Sequence, residues 1–165
     1  MMGVGWAYCP ICGKRFEGCY YPRTGANTAV YRVERHLLIR HQKKIVSNRV
    51  VDIDREDIVQ ERFYLDRVKR LKDFTTENAV VMTAYCYICQ SYIVNKTLRE
   101  KDIVREIGWG AEDIVTFGYK GSKLVVQNWT KGEIVDVEEF FRERFVSEIR
   151  EHFEQHHPEF LRYFI

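Results

Sequence analysis

The sequence lacks the features of a membrane protein or of domains joined by a long linker. It contains only three prolines in 165 residues, and no stretch is rich in proline or in glycine and serine. No apolar run approaches the 18 residues of a membrane-spanning helix. The start of the chain lacks the charged and apolar regions of a secretory signal. We therefore expect a folded protein of the reducing cytoplasm, with no membrane partner.

Signatures of common enzyme classes are missing as well. The chain has no glycine-rich loop that would cradle a phosphate, and it has no nucleophile elbow. Carboxylates are numerous, but no spacing among them singles out an acid–base pair. The five histidines all lie in or beside the metal-binding patterns described below, so none is left as a general base. We therefore predict a binding protein rather than an enzyme.

The composition indicates a folded core and an uneven charge. Hydrophobic residues make up 45% of the chain and aromatic residues 14%, which is enough to build a core. Abundant Ile, Val, Glu, Arg and Lys with little Gln, Asn and Ser is typical of a thermophile. Residues 1–75 carry 15 Lys and Arg against 9 Asp and Glu, whereas residues 76–165 carry 11 against 15. The two halves are therefore expected to face different partners.

One short pattern occurs twice. A Cys-x2-Cys pair is followed later by a His-x4-His pair in both halves, and the residues are Cys9, Cys12, His36 and His41 in the first copy and Cys86, Cys89, His152 and His157 in the second. A Cys-x2-Cys turn brings two sulfurs to one ion, and two histidines near a helix end add two nitrogens. Four such ligands close a tetrahedral structural zinc site and leave no position for water. The sequence therefore predicts two Zn²⁺ ions per chain. Cys19 is left over, as a small buried or free thiol.

The last ligand of the second site has two candidates. The repeat favours His157, whereas regular helix geometry favours His156, which lies four residues after His152. Pro158 disfavours the α conformation at the residue before it. A loosened helix end at that point suits the longer spacing and favours His157, with His156 as the alternative ligand.

The pattern of apolar residues and turn residues predicts an α+β fold. We expect two zinc-bound domains, a basic one over 1–75 and a second over 76–165, divided at the polar segment 75–78. The predicted helices span 28–44, 54–73, 97–107 and 137–157. The predicted extended segments span 6–18, 45–53, 79–94, 113–119, 123–129 and 133–135.

The first Cys-x2-Cys segment resembles a known family. Residues 9–16 read Cys-Pro-Ile-Cys-Gly-Lys-Arg-Phe, which is the C-x2-C-G-K-x-F form of the zinc finger with two cysteines and two histidines. Phe16 and Val33 match the finger's two core positions, and Ile93 and Ile149 match them in the second copy. The family separates cysteines and histidines by about 12 residues, whereas the gaps here are 23 and 62 residues. The resemblance implies two ββα-like units with insertions, the second an inserted helix and hairpin, followed by a long C-terminal helix.

The resemblance also implies a function for the first helix. Family members contact base edges from three helix positions, which correspond here to Ala29, Arg32 and Arg35. Arginine at such positions forms two hydrogen bonds with guanine. Nucleic acid is thus the expected partner of residues 28–72. We expect the nucleic acid to be DNA and the role to be transcriptional regulation. Further basic residues continue the same helix and add phosphate contacts, namely Arg40, Lys43 and Lys44.

The second copy implies a different role. The corresponding positions are Phe145, Glu148 and Glu151, and carboxylates facing a groove would be repelled by phosphate. The acidic half is therefore expected to stabilise its own fold or to bind a protein. The alternative for the whole chain is a zinc-bound interaction module that docks on a protein or ribonucleoprotein assembly without reading bases.

Overall fold

The computed structural model describes residues 2–69 and 76–164, with side chains throughout except in 65–69 and 76–78. These residues form eleven strands in small antiparallel sheets together with several helices, and the longest helix lies near the C-terminus. The predicted α+β class is confirmed. The chain forms two compact units, Met1–Ile58 with Tyr87–Cys89 and Val59–Cys86 with Gln90–Ile165. The predicted domain boundary after residue 75 lies at residues outside the described ones and stays a prediction.

A hairpin and a helix build the core of the first unit. Strands β1 (Gly3–Tyr8) and β2 (Arg15–Tyr21) pair in antiparallel register, and β3 (Ala26–Asn27) adds a short third strand. Helix α1 (Thr28–His36) packs against one face of this hairpin, where a Cβ at Gly18 would collide with Thr28 and Ala29. The glycine is therefore needed for the close approach of the helix.

Helix α1 is shorter than predicted. Asn27 caps its first turn by accepting from the Ala29 amide at 3.0 Å, and the helix continues as a π-helical turn over Leu37–His41. The expected extension to residue 44 is wrong, because Gln42 adopts the left-handed conformation (φ 49°) and ends the helix. The chain then forms a hairpin of β4 (Lys43–Val46) and β5 (Arg49–Asp52), which agrees with the predicted extended segment.

The predicted second helix is also wrong over most of its length. Asp54 begins it as expected, because Asp54 and Asp57 exchange backbone-to-carboxylate hydrogen bonds of 2.8 and 3.2 Å. Helix α2 (Arg55–Ile58) nevertheless ends after one turn, and β6 (Val59–Lys69) follows it. Strand β6 pairs along its whole length with β7 (Thr76–Cys86). Backbone pairing with a distant segment therefore overrides local helix preference.

The second unit contains the remaining elements, most of them close to their predicted bounds. Strands β6 and β7 are joined by β8 (Ser91–Arg99) in one three-stranded sheet, and three further strands form another. A left-handed Gly108 (φ 93°) ends the helix that follows β8, as predicted. These further elements are α3 (Glu100–Ile107), β9 (Val115–Lys120), β10 (Lys123–Asn128) and β11 (Glu133–Asp136).

The long helix α4 (Val137–His156) carries the second pair of histidines. Asp136 caps it by accepting from the Glu139 amide at 3.1 Å, as its sequence predicts. A short 3₁₀ helix, Pro158–Phe164, follows the last turn. The inner face of α4 is buried and consists of Val137, Phe141, Phe145, Ile149 and Phe153. Among the described residues, no helix is both long and apolar enough to cross a membrane.

Candidate metal centres

The structure brings the first four predicted ligands together. One donor atom from each of Cys9, Cys12, His36 and His41 lies within 4.8 Å of the other three. The Cys12 Sγ lies 3.3 Å from the His36 Nε2, and the two histidine Nε2 atoms are 3.2 Å apart. Zn–S bonds of about 2.3 Å and Zn–N bonds of about 2.0 Å place tetrahedral donors roughly 3.3–3.8 Å apart. The arrangement therefore fits a four-coordinate metal ion.

The first Cys-x2-Cys turn presents its sulfurs through the backbone. The amides of Ile11 and Cys12 donate to the Cys9 Sγ at 3.4 and 3.5 Å. Gly13 closes the turn in the left-handed region (φ 74°), and its amide donates to the Cys9 carbonyl at 2.9 Å. Burial raises the pKa of Cys9, but these backbone hydrogen bonds outweigh it and lower the pKa overall. The thiolate, which is the metal-binding form, is thereby favoured.

The π-helical turn places the side chains of the first two histidines on the same side of the helix. His36 ends α1, and His41 ends the π turn five residues later. The Gln42 amide bonds to the Leu37 carbonyl five residues back, so this turn is one residue wider than an α turn. A wider turn returns the chain to the same face after five residues rather than after four. The His-x4-His spacing thus matches the local backbone.

A small apolar cluster supports the first centre. Cys9, Val33 and Leu37 are buried together, and Phe16 packs against them. The Phe16 ring also lies 5.0 Å from the His36 ring. The two predicted finger-core positions are therefore in place beneath the donor atoms.

The second four ligands also converge. One donor atom from each of Cys86, Cys89, His152 and His157 lies within 4.8 Å of the others. Cys86 is fully buried, whereas Cys89 is exposed, as Cys9 and Cys12 are in the first centre. Cys19 lies outside both clusters, half-buried in β2. The structure therefore groups all eight predicted ligands into the two expected sets.

His157 rather than His156 completes the second cluster. His157 leaves the helix with φ −140° and ψ 57°, which agrees with the predicted effect of Pro158. Its side chain is only 9% exposed, and its Nε2 has no hydrogen-bond partner among the residues that the structure describes. An unpaired buried ring nitrogen costs free energy unless a ligand takes it up. His156 is exposed, although its ring centroid lies 5.1 Å from that of His152.

The second Cys-x2-Cys turn repeats the backbone of the first with a less suitable residue. Gln90 directly follows Cys89, as Gly13 follows Cys12, and it too has a positive φ (54°). The left-handed region costs a residue with a side chain roughly 1–2 kcal/mol. The same turn geometry is therefore formed in both copies, and in the second it is strained.

The environment of the histidines favours their neutral form. Burial, and then the neighbouring His41, Lys14 and Arg40, lower the pKa of His36. Burial and the two histidines that follow lower the pKa of His152. Burial also lowers the pKa of His157, although Glu159 opposes this. A neutral imidazole is the form that binds metal.

The predicted base-reading residues are engaged within the protein. The Arg32 guanidinium donates to the Glu17 carbonyl at 2.6 Å, and that of Arg35 donates to the Ile88 carbonyl at 2.8 Å. Ala29, at the first of the three family positions, is fully buried, because the helix packs that face on the hairpin. Main-chain carbonyl acceptors for Arg32 and Arg35 are not visible in the sequence pattern.

Of the other predicted basic residues, two form ion pairs and one is exposed. Lys43 forms an ion pair with Asp52 across the β4–β5 hairpin, and Lys44 lies 2.9 Å from the Asp57 carboxylate. Arg40 is exposed in the π-helical turn. Arg40 is thus the predicted phosphate contact that solvent reaches most freely.

Two of the three corresponding positions of α4 make contacts within the second unit. Phe145 is buried, and the Glu148 carboxylate lies 3.4 Å from the Lys96 ammonium. No family model, no curated protein and no solved structure matches this chain. The resemblance to zinc fingers therefore rests on the ligand segments and the core positions beneath them.

Proposed function

We propose that the protein binds two zinc ions and uses them to hold its fold together. The observation that carries this is the closed set of two sulfurs and two nitrogens in each cluster, all within 4.8 Å. Mixed Cys and His ligands suit zinc, and four protein ligands leave no coordination position for a substrate. The zinc is therefore structural, and the protein acts by binding rather than by catalysis.

Metal analysis of purified protein tests this proposal. Wild type is expected to contain two zinc ions per chain, and Cys86→Ser and Cys9→Ser one each. Cys19→Ser is the matched control, because Cys19 belongs to neither cluster, and it should keep two. A wild-type content below two, or an equal loss in the control, would contradict the paired sites.

We further propose that the first unit binds nucleic acid. Its residues include ten Lys and Arg against six Asp and Glu, a balance that attracts phosphate. The Arg32 guanidinium carries five N–H donors, one of which donates to the Glu17 carbonyl, and Arg40 is exposed. The expected contacts are therefore to the phosphate backbone. We propose DNA as the nucleic acid and transcriptional control as its biological role.

Salt-dependent binding tests the second proposal. Wild-type affinity for a labelled duplex is expected to fall steeply between 50 and 200 mM salt, because cations contacting phosphates release counterions. Arg40→Ala should weaken binding and flatten the slope, whereas Arg162→Ala, an exposed arginine of the second unit, should not. The double variant Arg32→Ala with Arg35→Ala tests base reading. If it lost sequence preference but kept its overall affinity, α1 would read bases rather than contact phosphates.

A protein-interaction module is the second candidate, and two observations favour it. Arg32 and Arg35 donate to main-chain carbonyls, which suits a structural role. The second unit also exposes large apolar side chains at β9–β11, namely Ile114, Trp129 and Ile134. Such side chains are typical of interaction surfaces. A partner that co-purifies after nuclease treatment, and is lost in Trp129→Ala, would support this function.

A further inference from the structure

One face of the β1–β2 hairpin is uncovered and rich in aromatic residues. Alternation along β1 directs Val4, Trp6 and Tyr8 to the same side, and these side chains are 69%, 54% and 57% exposed. On the opposite side, Gly5 is buried and lies against Asn27 at the start of α1. The helix therefore covers one face of the hairpin and leaves the aromatic face to solvent.

The neighbouring strand adds charge to this aromatic face. In the register of β1 and β2, Arg15 lies opposite Tyr8, and Glu17 lies opposite Trp6. The Arg15 guanidinium lies 5.4 Å from the centre of the Trp6 ring and 3.2 Å from the Glu17 carboxylate. Both partners of this ion pair are more than half exposed, so it is weak and a phosphate can compete for the arginine.

The charge around the aromatic face favours a polyanion over a protein as its occupant. Residues 1–27 contain Lys14, Arg15 and Arg23 against the single acid Glu17, and the whole first unit has an excess of cations as described above. Exposed aromatic rings beside cations are the elements with which proteins bind single-stranded nucleic acid, since the rings stack on bases while the cations follow the phosphates.

We propose that the β1–β2 face binds single-stranded nucleic acid, with two successive bases stacked on Trp6 and Tyr8. Rings two residues apart on a strand are separated by about 6.8 Å, which suits an extended strand with splayed bases. In a duplex the faces of the bases are already stacked on one another, so single strands bind better. This proposal rests on nucleic-acid binding by the first unit and specifies its substrate class.

Fluorescence anisotropy with labelled oligonucleotides tests the stacking. The probes are 12-residue oligo(dT) and oligo(rU) and a 12-base-pair duplex. Trp6→Ala and Tyr8→Ala are each expected to bind both single strands roughly 5- to 150-fold more weakly than wild type, and Trp6→Phe should keep most of the affinity. The matched controls Trp129→Ala and Tyr119→Ala remove aromatic side chains of similar exposure from the second unit and should bind like wild type. Zinc content and circular dichroism confirm that each variant is folded.

A second variant tests the charge argument independently. Glu17→Gln removes the carboxylate that competes for Arg15, and the Arg32 bond to the Glu17 main-chain carbonyl remains. Binding of single strands should become about 1.5- to 5-fold tighter. An unchanged or weaker affinity would contradict the role of Arg15 as a phosphate contact. Equal losses on oligo(dT) and oligo(rU) assign the binding to stacking common to DNA and RNA, and a preference for oligo(rU) assigns part of it to the 2′-hydroxyl.

The outcomes separate this proposal from the broader one. If wild type binds nucleic acid and Arg40→Ala weakens it while Trp6→Ala and Tyr8→Ala do not, the stacking face is refuted and the proposed function stands. If wild type binds neither single strands nor duplex, both are refuted. A protein that stays bound after nuclease treatment, and is lost in Trp6→Ala without change in oligonucleotide binding, would assign the face to a protein partner instead.

Discussion

Replacing each of the two adjacent histidines tests which one closes the second metal centre. His157 is buried, and its Nε2 has no hydrogen-bond partner in the described part of the chain, whereas His156 is exposed. We expect His157→Ala to contain one zinc per chain and His156→Ala to contain two. The two variants differ by one position in the chain and remove the same side chain, so each is the control for the other.

The expected change in stability follows because zinc binds the folded state and thereby stabilises it. With free zinc at 1,000 times its dissociation constant, one site stabilises the fold by about 4 kcal/mol. For a chain of 150–250 residues each kcal/mol shifts Tm by about 2–4 °C, so loss of the site lowers Tm on the order of 10 °C. In metal-free wild type the unpaired Nε2 of His157 costs about 1–3 kcal/mol. His157→Ala should therefore be destabilised in zinc but not relative to wild type in a chelator.

Metal content by mass spectrometry and thermal unfolding with and without chelator measure these quantities. One zinc in His156→Ala together with two in His157→Ala would assign the ligand to His156 and refute the argument from burial. Two zinc ions in both variants would mean that either ring can be the fourth ligand. The unpaired Nε2 of His157 would then not identify the ligand.

Three further predictions follow from the same contacts. Gln90→Gly relieves a positive φ and should raise the free energy of unfolding by about 1 kcal/mol in urea denaturation, whereas no change would show that the turn is unstrained. Zinc should be released as the pH falls, because protons compete with the metal for the thiolate and imidazole ligands. The lowered pKa values of His36 and His152 mean that the unfolded chain binds more protons than the folded chain, so their contribution to stability is complete above about pH 6.5 and is lost as the pH falls below it. A chromogenic chelator follows this release, and full retention down to pH 4 would contradict it. Arg35→Met removes a charge-assisted bond to the Ile88 carbonyl and should cost about 1.5–3 kcal/mol, so an unchanged urea midpoint would show that the bond is dispensable.

The ligand clusters could be predicted from sequence because metal chemistry restricts both residue type and spacing. Two sulfurs must come from one turn and two nitrogens from one helix end, and this pattern is local in the chain. The same holds for Asp136 and Gly108, because a capping carboxylate and a residue without a Cβ each decide a helix end within a few residues. Interactions of short range in sequence therefore account for most of the correct predictions.

The incorrectly predicted helix over 59–69 and the Arg35 contact that the sequence did not reveal both involve partners that are distant in the chain. Residues 59–69 have the charge and apolar content of a helix, yet they pair with β7 because that strand offers backbone donors and acceptors along its whole length. Arg35 has the position of a base-reading residue, yet it bonds to Ile88, which is 53 residues away. The composition and periodicity around residues 59–69 and around Arg35 do not indicate these distant partners.

The His-x4-His spacing shows how one ligand geometry is met by two backbones. In a regular α-helix, residues five apart point about 140° away from each other, so neither pair could share an ion without a local change. The first pair is aligned by a π-helical turn, in which the amide of Gln42 bonds five residues back. The second is aligned because His157 leaves the helix before Pro158. What the two copies share is therefore the relative position of the donor atoms, and this position rather than helix geometry selects His157 over the better-spaced His156.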